Sequence, residues 1–403
     1  MRNSITIVGG GVAGLTAAIA CAERGLAVTL HEAHRSLGGR ARSTPGPYIA
    51  NDGTHVLYSD GEPFRWLAAR RLVQPCSRPT PGELARFRFR RDGRIRSAPP
   101  LALLRMVSHR RLTAPVDESF GDWATRRFGP EATRAAAGVV GVITYTADPG
   151  RLSAAFVWER LLRAVAPGWP AVRYVRGGWS AMVERMAAHA RGLGATIVTG
   201  ERVDALPGGP VIVATGLDAA RALLGDDSLR WPSGRAALVD LGLRADRRDP
   251  FVVSDLDEGG FVERYSLPDP SLAPPGHALV QLELPARPDE PIPAATGRAE
   301  ALADLALPGW RERVTWRRDA FANGRTGAVD PPGSTWRDRP AIDRGDGVWL
   351  AGDSVAAPGM LAEVALNSAR RAAEAASAAA SVGMAVGVEL SLSAVPKAST
   401  QSD

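Results

Sequence analysis

The chain has 403 residues, 45% of them hydrophobic and 23% charged, which is the composition of an ordinary globular protein with room for two or three sub-structures. No apolar run approaches the roughly 20 residues that a membrane-spanning helix needs, and Cys21 and Cys76 are too few for a disulfide framework or a metal cluster. The formal net charge of +6 comes almost wholly from arginine, Lys397 being the one lysine, and without a recognition motif it does not point to nucleic acid.

Met1 leads almost directly into the apolar strand "ITIV". The charged region, apolar region and cleavage site of a secretory signal are not there in sequence, so a cytoplasmic location is the expectation. The strand ends at Gly9, and Gly9, Gly11 and Gly14 satisfy G-x-G-x-x-G, with Val12 and Ala13 at the mouth of the helix that follows. The first glycine permits a tight turn, the second lets backbone N–H groups reach a pyrophosphate, and the third lets helix pack closely on strand. The helix aims the positive end of its dipole at that anion. Gly25 is placed to end it. The next strand, "AVTLHE", stops at Glu32, where a carboxylate meets the ribose hydroxyls of a dinucleotide. Ala33 follows, and then Gly38, Gly39 and Arg40, which offer a second close-approaching loop and a cation for the phosphates.

Further along lies "IANDGTHVLYSD", residues 49–60. The Arg-rich "ARFRFRRDGRIRS", residues 85–97, reads as a hairpin turned at Asp92-Gly93, with a half-buried Phe87/Phe89 face and a solvated arginine face. Through Arg86, Arg88, Arg90 and Arg94 that face allows at most a peripheral, salt-sensitive contact with anionic lipid. Two helices follow: "SFGDWATRRFG", capped by Ser119 and stopped by Gly129, and "RLSAAFVWERLLRAVAPG". "ATIVTGERVDAL", which contains Val203, and "PVIVATG", which ends in Thr215 and Gly216, read as a second strand pair. "AALVDLGL" and "HALVQLEL" are strand candidates among Pro-rich turns, and a helix is expected near 296–310, closed by Pro308. "GVWLAGDS", with Gly352 and Asp353, then leads through Gly359, Met360 and Leu361 into a long alanine-rich helix starting near Met360. The end of the chain lacks helical periodicity and is expected to fray.

These elements predict an α/β protein in which a discontinuous Rossmann-like domain is interrupted by a mixed α+β substrate domain. The expected division is 1–75, 173–225 and 339–382 for the first domain, 76–172 and 226–338 for the second, and 383–403 for a flexible tail.

Glu32 followed by "AHRSLGGRARS", together with the Ala-Thr-Gly strand and the Gly-Asp segment, resembles the FAD-dependent amine oxidase and phytoene desaturase superfamily. The likeness is most to bacterial phytoene-desaturase-like and protoporphyrinogen-oxidase-like members, as Asp52 through His55 and "GVVGVITYTADPG" also suggest. The resemblance implies non-covalent FAD, with backbone near Val203 at the adenine, Gly352-Asp353 at the ribityl chain and the helix after Met360 aimed at the flavin ring. His55 is then the candidate for a flavin-side hydrogen-bond donor or base, the alternative being a structural histidine. The family's lysine near flavin N5 and tyrosine-lined amine cage have no obvious counterparts, because Lys397 lies in the tail and the last tyrosine is Tyr265. The expected function is hydride removal from an apolar or secondary-metabolite small molecule, with O₂ or a quinone as final acceptor. The alternatives are an amine or amino-acid oxidase, in which Arg176 or Arg264 would clamp a carboxylate, and a non-redox flavoprotein acting as isomerase or binding module.

Overall fold

Strands that lie far apart in sequence become neighbours in three sheets. The structure, a computed structural model, describes residues 3–54 and 56–393, so His55 and Lys397 lie outside the described residues. In chain order the first strands are β1 (Ser4–Val8), β2 (Ala27–Glu32), β3 (Val56–Tyr58), β4 (Cys76–Ser77), β5 (Phe87–Arg91) and β6 (Arg94–Arg96). The middle ones are β7 (Val172–Val175), β8 (Thr196–Thr199), β9 (Val211–Val213), β10 (Ser233–Arg244) and β11 (Val252–Asp255). The last are β12 (Phe261–Glu263), β13 (His277–Pro285), β14 (Val314–Ala328) and β15 (Val348–Leu350). The smallest of the sheets runs β3-β7-β4.

The first sheet runs β15-β9-β1-β2-β8 and every pairing in it is parallel. Parallel sheets need both faces covered, and these strands are accordingly rich in buried Val, Ile and Leu: Ile7, Leu30 and Ile212 are fully enclosed. Helix α1 (Val12–Glu23) packs on this sheet with helices Gly178–Gly192 and Ala362–Ser393. Ala17, Ala18 and Ala20 of α1, and Ala369, Ala372, Ala373 and Ala376 of the last helix, are buried in one cluster, where small side chains let the backbones approach. That last helix runs to Ser393, past the expected boundary at 382. It starts at Ala362, near Met360 as expected, immediately after Leu361, which takes a left-handed φ of 55°.

The second sheet runs β14-β10-β13-β12-β11-β5-β6, so both inserts build one sheet. β5 joins it by parallel pairing with β11, and β5 and β6 form the antiparallel hairpin. Asp92 and Gly93 turn that hairpin with φ of 51° and 67°, the positive values a type I′ turn requires. The expectation of a solvated arginine face is corrected. Arg90 is half-buried and donates to the buried Asp255 at 2.8 Å, while Arg88 turns back onto the carbonyls of Ala85 and Phe87. Interior placement of β5 explains the difference, since charges drawn into a sheet must find partners.

Side-chain alternation gives the second sheet two unlike faces. Val239, Leu241, Val280, Leu282 and Leu284 lie on one face beneath helix Ile292–Ala306, which contributes Ala299, Leu302 and Ala303. Asp240, Glu263, Gln281 and Glu283 occupy the other: Gln281 pairs with Asp240 on one neighbour and with Glu263 on the next. Helices Phe120–Phe128, Pro130–Thr144 and Ala154–Ala164 form a separate cluster in which Trp123 and Phe128 pack on Trp158. Ser119 caps the first of these by accepting from the Asp122 N–H, and Gly129 ends it at φ 85°. No helix among the described residues is long and apolar enough to cross a membrane.

Helix Pro130–Thr144 meets the Leu256–Gly259 turn through Gly138, where a Cβ would lie 2.5 Å from Leu256 Cα. Gly138→Ala is therefore expected to destabilise the protein by roughly 1–3 kcal/mol. Gly297→Ala, in open space on helix Ile292–Ala306, is expected to stabilise it by about 0.5–1 kcal/mol. Denaturant titration of both variants checks the pair.

Candidate functional site

The turn from β1 into α1 is built by contacts that only glycine allows. A Cβ on Gly14 would lie 1.8 Å from the Gly9 carbonyl oxygen, and one on Gly9, at φ 108°, would lie 2.7 Å from that of Ala214. Gly11 differs. Its φ of −75° suits any residue, and the nearest atom to a Cβ there is the Gly38 oxygen at 3.8 Å. Position 11 thus faces an opening, into which Val12 and Ala13 begin the helix.

The second glycine pair closes over the first. Gly38 donates to the Gly10 carbonyl at 2.8 Å and forms an isolated parallel bridge with Gly11. Gly38 has φ 112°, and a Cβ on Gly39 would be 3.5 Å from Gly11 Cα. Glu32, buried at the end of β2, accepts from the Gly10 N–H at 2.7 Å and from the His34 N–H at 2.9 Å, across the turn at Ala33. Two hydrogen bonds leave lone pairs on its oxygens for further donors.

Arg40 reaches across to Asp353 at 2.5 Å, joining the glycine segment to the turn after β15. The Asp353 charge raises the Arg40 guanidinium further above its ordinary range. Gly352 is held in place by Ser368, which accepts its N–H and donates to its carbonyl, each at 2.9 Å. Gly359 sits at φ 124°, and the Met360 N–H donates to Glu363 at 3.0 Å. Glu363 also takes two hydrogen bonds from Arg163, at 2.6 and 2.7 Å, so its carboxylate already occupies the positive end of the last helix. Thr215 and Gly216 follow β9, where Gly216 caps helix Leu217–Leu224. Val203 packs with Val211, Val213 and Leu217 at the edge beyond β8. The glycine loops, Arg40, Glu32, Gly352 and Asp353 are brought together, while Val203 stands beside the strands at the rim.

A crevice with a volume of only about 10 Å³, room for about one water, is lined by Thr144, Arg160, Gly327, Asp353, Leu361 and Val364. Arg160 is buried there, and burial lowers its guanidinium to about 10. A wider hollow of about 410 Å³ lies beside Thr125, Arg134 and Glu258 and is lined by none of the glycine-loop residues.

The polar face of the second sheet meets the segment around Asp52. Arg318 donates to Asp52 at 2.7 Å, to the Asn51 carbonyl at 2.8 Å and to Asp240 at 2.7 Å. Gln281 donates to Asp240 and to the Asn51 carbonyl. Glu263 takes hydrogen bonds from Tyr174 and Tyr265. Glu283 accepts from the Thr54 hydroxyl at 3.0 Å through Oε2, and its Oε1 has no partner among the described residues. Burial raises the carboxyls, Glu283 to about 8, Glu263 to about 7 and Asp240 to about 6.

Tyr145 links this wall to the Arg40–Asp353 pair. It ends helix Pro130–Thr144 at a left-handed φ of 55°, and its carbonyl accepts from the Arg235 N–H at 2.8 Å. Burial lifts its phenol well above the ordinary range; Glu283 and Asp353 add to the rise, and a Thr54 hydrogen bond and the Arg40 charge oppose it. Sequence distance from the Gly-Asp segment had hidden this tyrosine. Glu263, Glu283 and Tyr145 were missed because they lie far apart in sequence and belong to no motif. The available signal was the Val-Gln-Leu-Glu-Leu alternation of β13, which places two polar groups on one face. Arg264 donates to the Asp246 carbonyl at 3.3 Å and Arg176 is exposed, so neither joins the wall. Cys21 is buried with its thiol pushed up to about 12, and Cys76 lies in β4, away from the segments that build the opening.

Residues 7–70 match the family described as NAD(P)-binding Rossmann-like domain, and residues 211–377 match flavin containing amine oxidoreductase. Over 58 residues the chain is 47% identical to carotenoid phi-ring synthase of Streptomyces griseus, covering 14% of this chain and 11% of that protein. Over 62 residues it is 39% identical to hydroxysqualene dehydroxylase of Rhodopseudomonas palustris, covering 15% of each. The chain thus matches only a small fraction of the length of these curated relatives. Cyclohexylamine oxidase from Brevibacterium oxydans shares the fold, with a TM-score of 0.71 at 16% identity over 94% of this chain and 99% of that one.

The raised carboxyls set a pH dependence of stability. Between an ordinary glutamate value of 4.5 and the folded value of about 8, the unfolded chain has released the proton that native Glu283 retains. Native protein then binds more protons, so stability falls as pH rises through that window. The melting temperature should drop from pH 5 to pH 8, and Glu283→Gln should flatten the drop by on the order of a few kcal/mol. Thermal melts of both proteins across that range check it.

Proposed function

We propose that this chain, whose residues 211–377 match flavin containing amine oxidoreductase, is an FAD-dependent oxidoreductase that takes a hydride from an apolar or secondary-metabolite substrate. The observation that carries the reading is the opening at Gly11, the one position of the glycine turn where a Cβ would touch nothing closer than 3.8 Å. Tight packing at Gly9, Gly10 and Gly14 makes the turn, and the gap at Gly11 admits backbone-to-phosphate contact.

The residues around that gap fit a flavin dinucleotide. N–H groups at the start of α1 and of the Gly38-Gly39 loop would bind the pyrophosphate. Glu32, with lone pairs left over, would accept from ribose hydroxyls, and backbone near Val203 would edge the adenine. Arg40 and Asp353 would hold the phosphate and ribityl region from either side, with Gly359, Met360 and Leu361 beside the crevice that precedes the last helix. When bound, the flavin supplies a two-electron acceptor. The chain's own task is to bind, orient and exclude water. With Cys21 buried and Cys76 elsewhere in the fold, non-covalent attachment is the reading for FAD. The substrate is read as a small molecule, and O₂ or a quinone would reoxidise the cofactor.

Purified protein should be yellow, and denaturation should release FAD. Gly11→Val should stay folded, since its backbone angles suit any residue, yet lose the flavin absorption band. Glu32→Ala should weaken FAD binding by on the order of 1–3 kcal/mol. A wild-type protein without a flavin band, or a Gly11→Val protein that keeps it, counts against the proposal. Anaerobic bleaching by hydrophobic substrates, but not by amino acids, is the expected substrate pattern.

A further inference from the structure

The second sheet carries a polar wall that the cofactor reading does not use. One face of the sheet is sealed by helix Ile292–Ala306, while the other turns Asp240, Gln281, Glu263 and Glu283 toward the Asn51–Thr54 segment of the first domain. Burying such groups is unfavourable unless each is hydrogen-bonded. Most are. Asp240 is matched by Arg318 and Gln281, and Glu263 by Tyr174 and Tyr265. Glu283 is matched on one side only: its side chain is fully buried, Oε2 is taken by Thr54, and Oε1 has no partner among the described residues, as is also true of the neighbouring Gln281 Oε1 and Asn51 Nδ2. Thr54 donates to Glu283, and Glu283, Thr54, Arg40 and Asp353 all lie within electrostatic reach of Tyr145, which connects the wall to the Arg40–Asp353 pair.

A wall of this kind does not suit a bare hydrocarbon, which would leave the carboxyl oxygen without a partner. We infer that Glu283 is a specificity-determining residue whose Oε1 binds a hydroxyl or carbonyl oxygen of the substrate, so that the enzyme takes an oxygen-bearing small molecule. A neutral carboxyl donates to a carbonyl and exchanges both roles with a hydroxyl, and burial favours that neutral form here. Thr54 fixes the orientation of the carboxyl, and Tyr145 stands beside it as a further hydrogen-bonding group. The inference rests on the flavoenzyme reading and narrows its substrate class.

Three probes that differ at a single carbon test it: 1-phenylethanol, acetophenone and ethylbenzene, titrated into the yellow holoprotein and read by the perturbation of the flavin spectrum. The alcohol and the ketone should bind at least about tenfold more tightly than the hydrocarbon, as expected of a site built to hydrogen-bond its ligand. Glu283→Leu should abolish the preference, and Glu283→Gln, which keeps a donor and an acceptor, should retain most of it. Melting curves and flavin content establish that each variant is folded and loaded. Equal binding of ethylbenzene, no binding of the alcohol and ketone, or a preference that survives Glu283→Leu would overturn the inference. Tighter binding of 1-phenylethylamine than of the alcohol would overturn the substrate class. A wild-type protein without flavin would instead overturn the cofactor reading, so the two failures are distinct.

Discussion

The Gly9 carbonyl oxygen occupies the place that any side chain at position 14 would need, and the rest of the site is arranged around that contact. It seats α1 directly on the end of β1, which aims the helix N-terminus at the opening beside Gly11. From there the Gly38-Gly39 loop can close onto Gly10 and Gly11, and the closure positions Arg40 to meet Asp353 from the far end of the chain. A methyl group at position 14 would push helix from strand and undo each of these in turn.

The second sheet solves a different problem. Its apolar face is conventional, sealed by a helix rich in alanine and leucine. Its other face buries three carboxyls and a glutamine against the first domain, where burial alone would be costly. Arg318 offsets much of that cost by bridging Asp240, Asp52 and the Asn51 carbonyl at once, and so ties the second sheet to the Asn51–Asp52 segment. The carboxyl of Glu283 keeps one oxygen outside this network. Buried polar networks define a unique geometry when every member is matched, and here Glu283 Oε1, Gln281 Oε1 and Asn51 Nδ2 are left unmatched among the described residues.

Helix ends supply the remaining order. Glu363 neutralises the start of the last helix and receives Arg163 from helix Ala154–Ala164, tying the helical cluster to the first domain. Tyr145, held left-handed at the end of its own helix, brings a phenol to the junction. Both contacts join residues with no sequence relation.

Local patterns were legible from the residues alone. Glycine spacing, the Asp92-Gly93 turn, the Ser119 cap and the apolar strands depend on neighbours within a few positions, where backbone sterics and side-chain period decide the outcome. The close approaches at Gly9 and Gly14 were legible for the same reason, because a tight strand-to-helix turn needs glycines at set intervals. What the sequence could not decide was which separated segments would face one another. The arginines of β5 read as a solvated surface until tertiary pairing with β11 drew Arg90 inward onto Asp255. Glu263, Glu283 and Tyr145 are separated in sequence and share no motif, and only the sheet register and tertiary packing gathered them. Burial, and with it the carboxyl chemistry, is a property of what packs against a residue, and only the tertiary structure decides that.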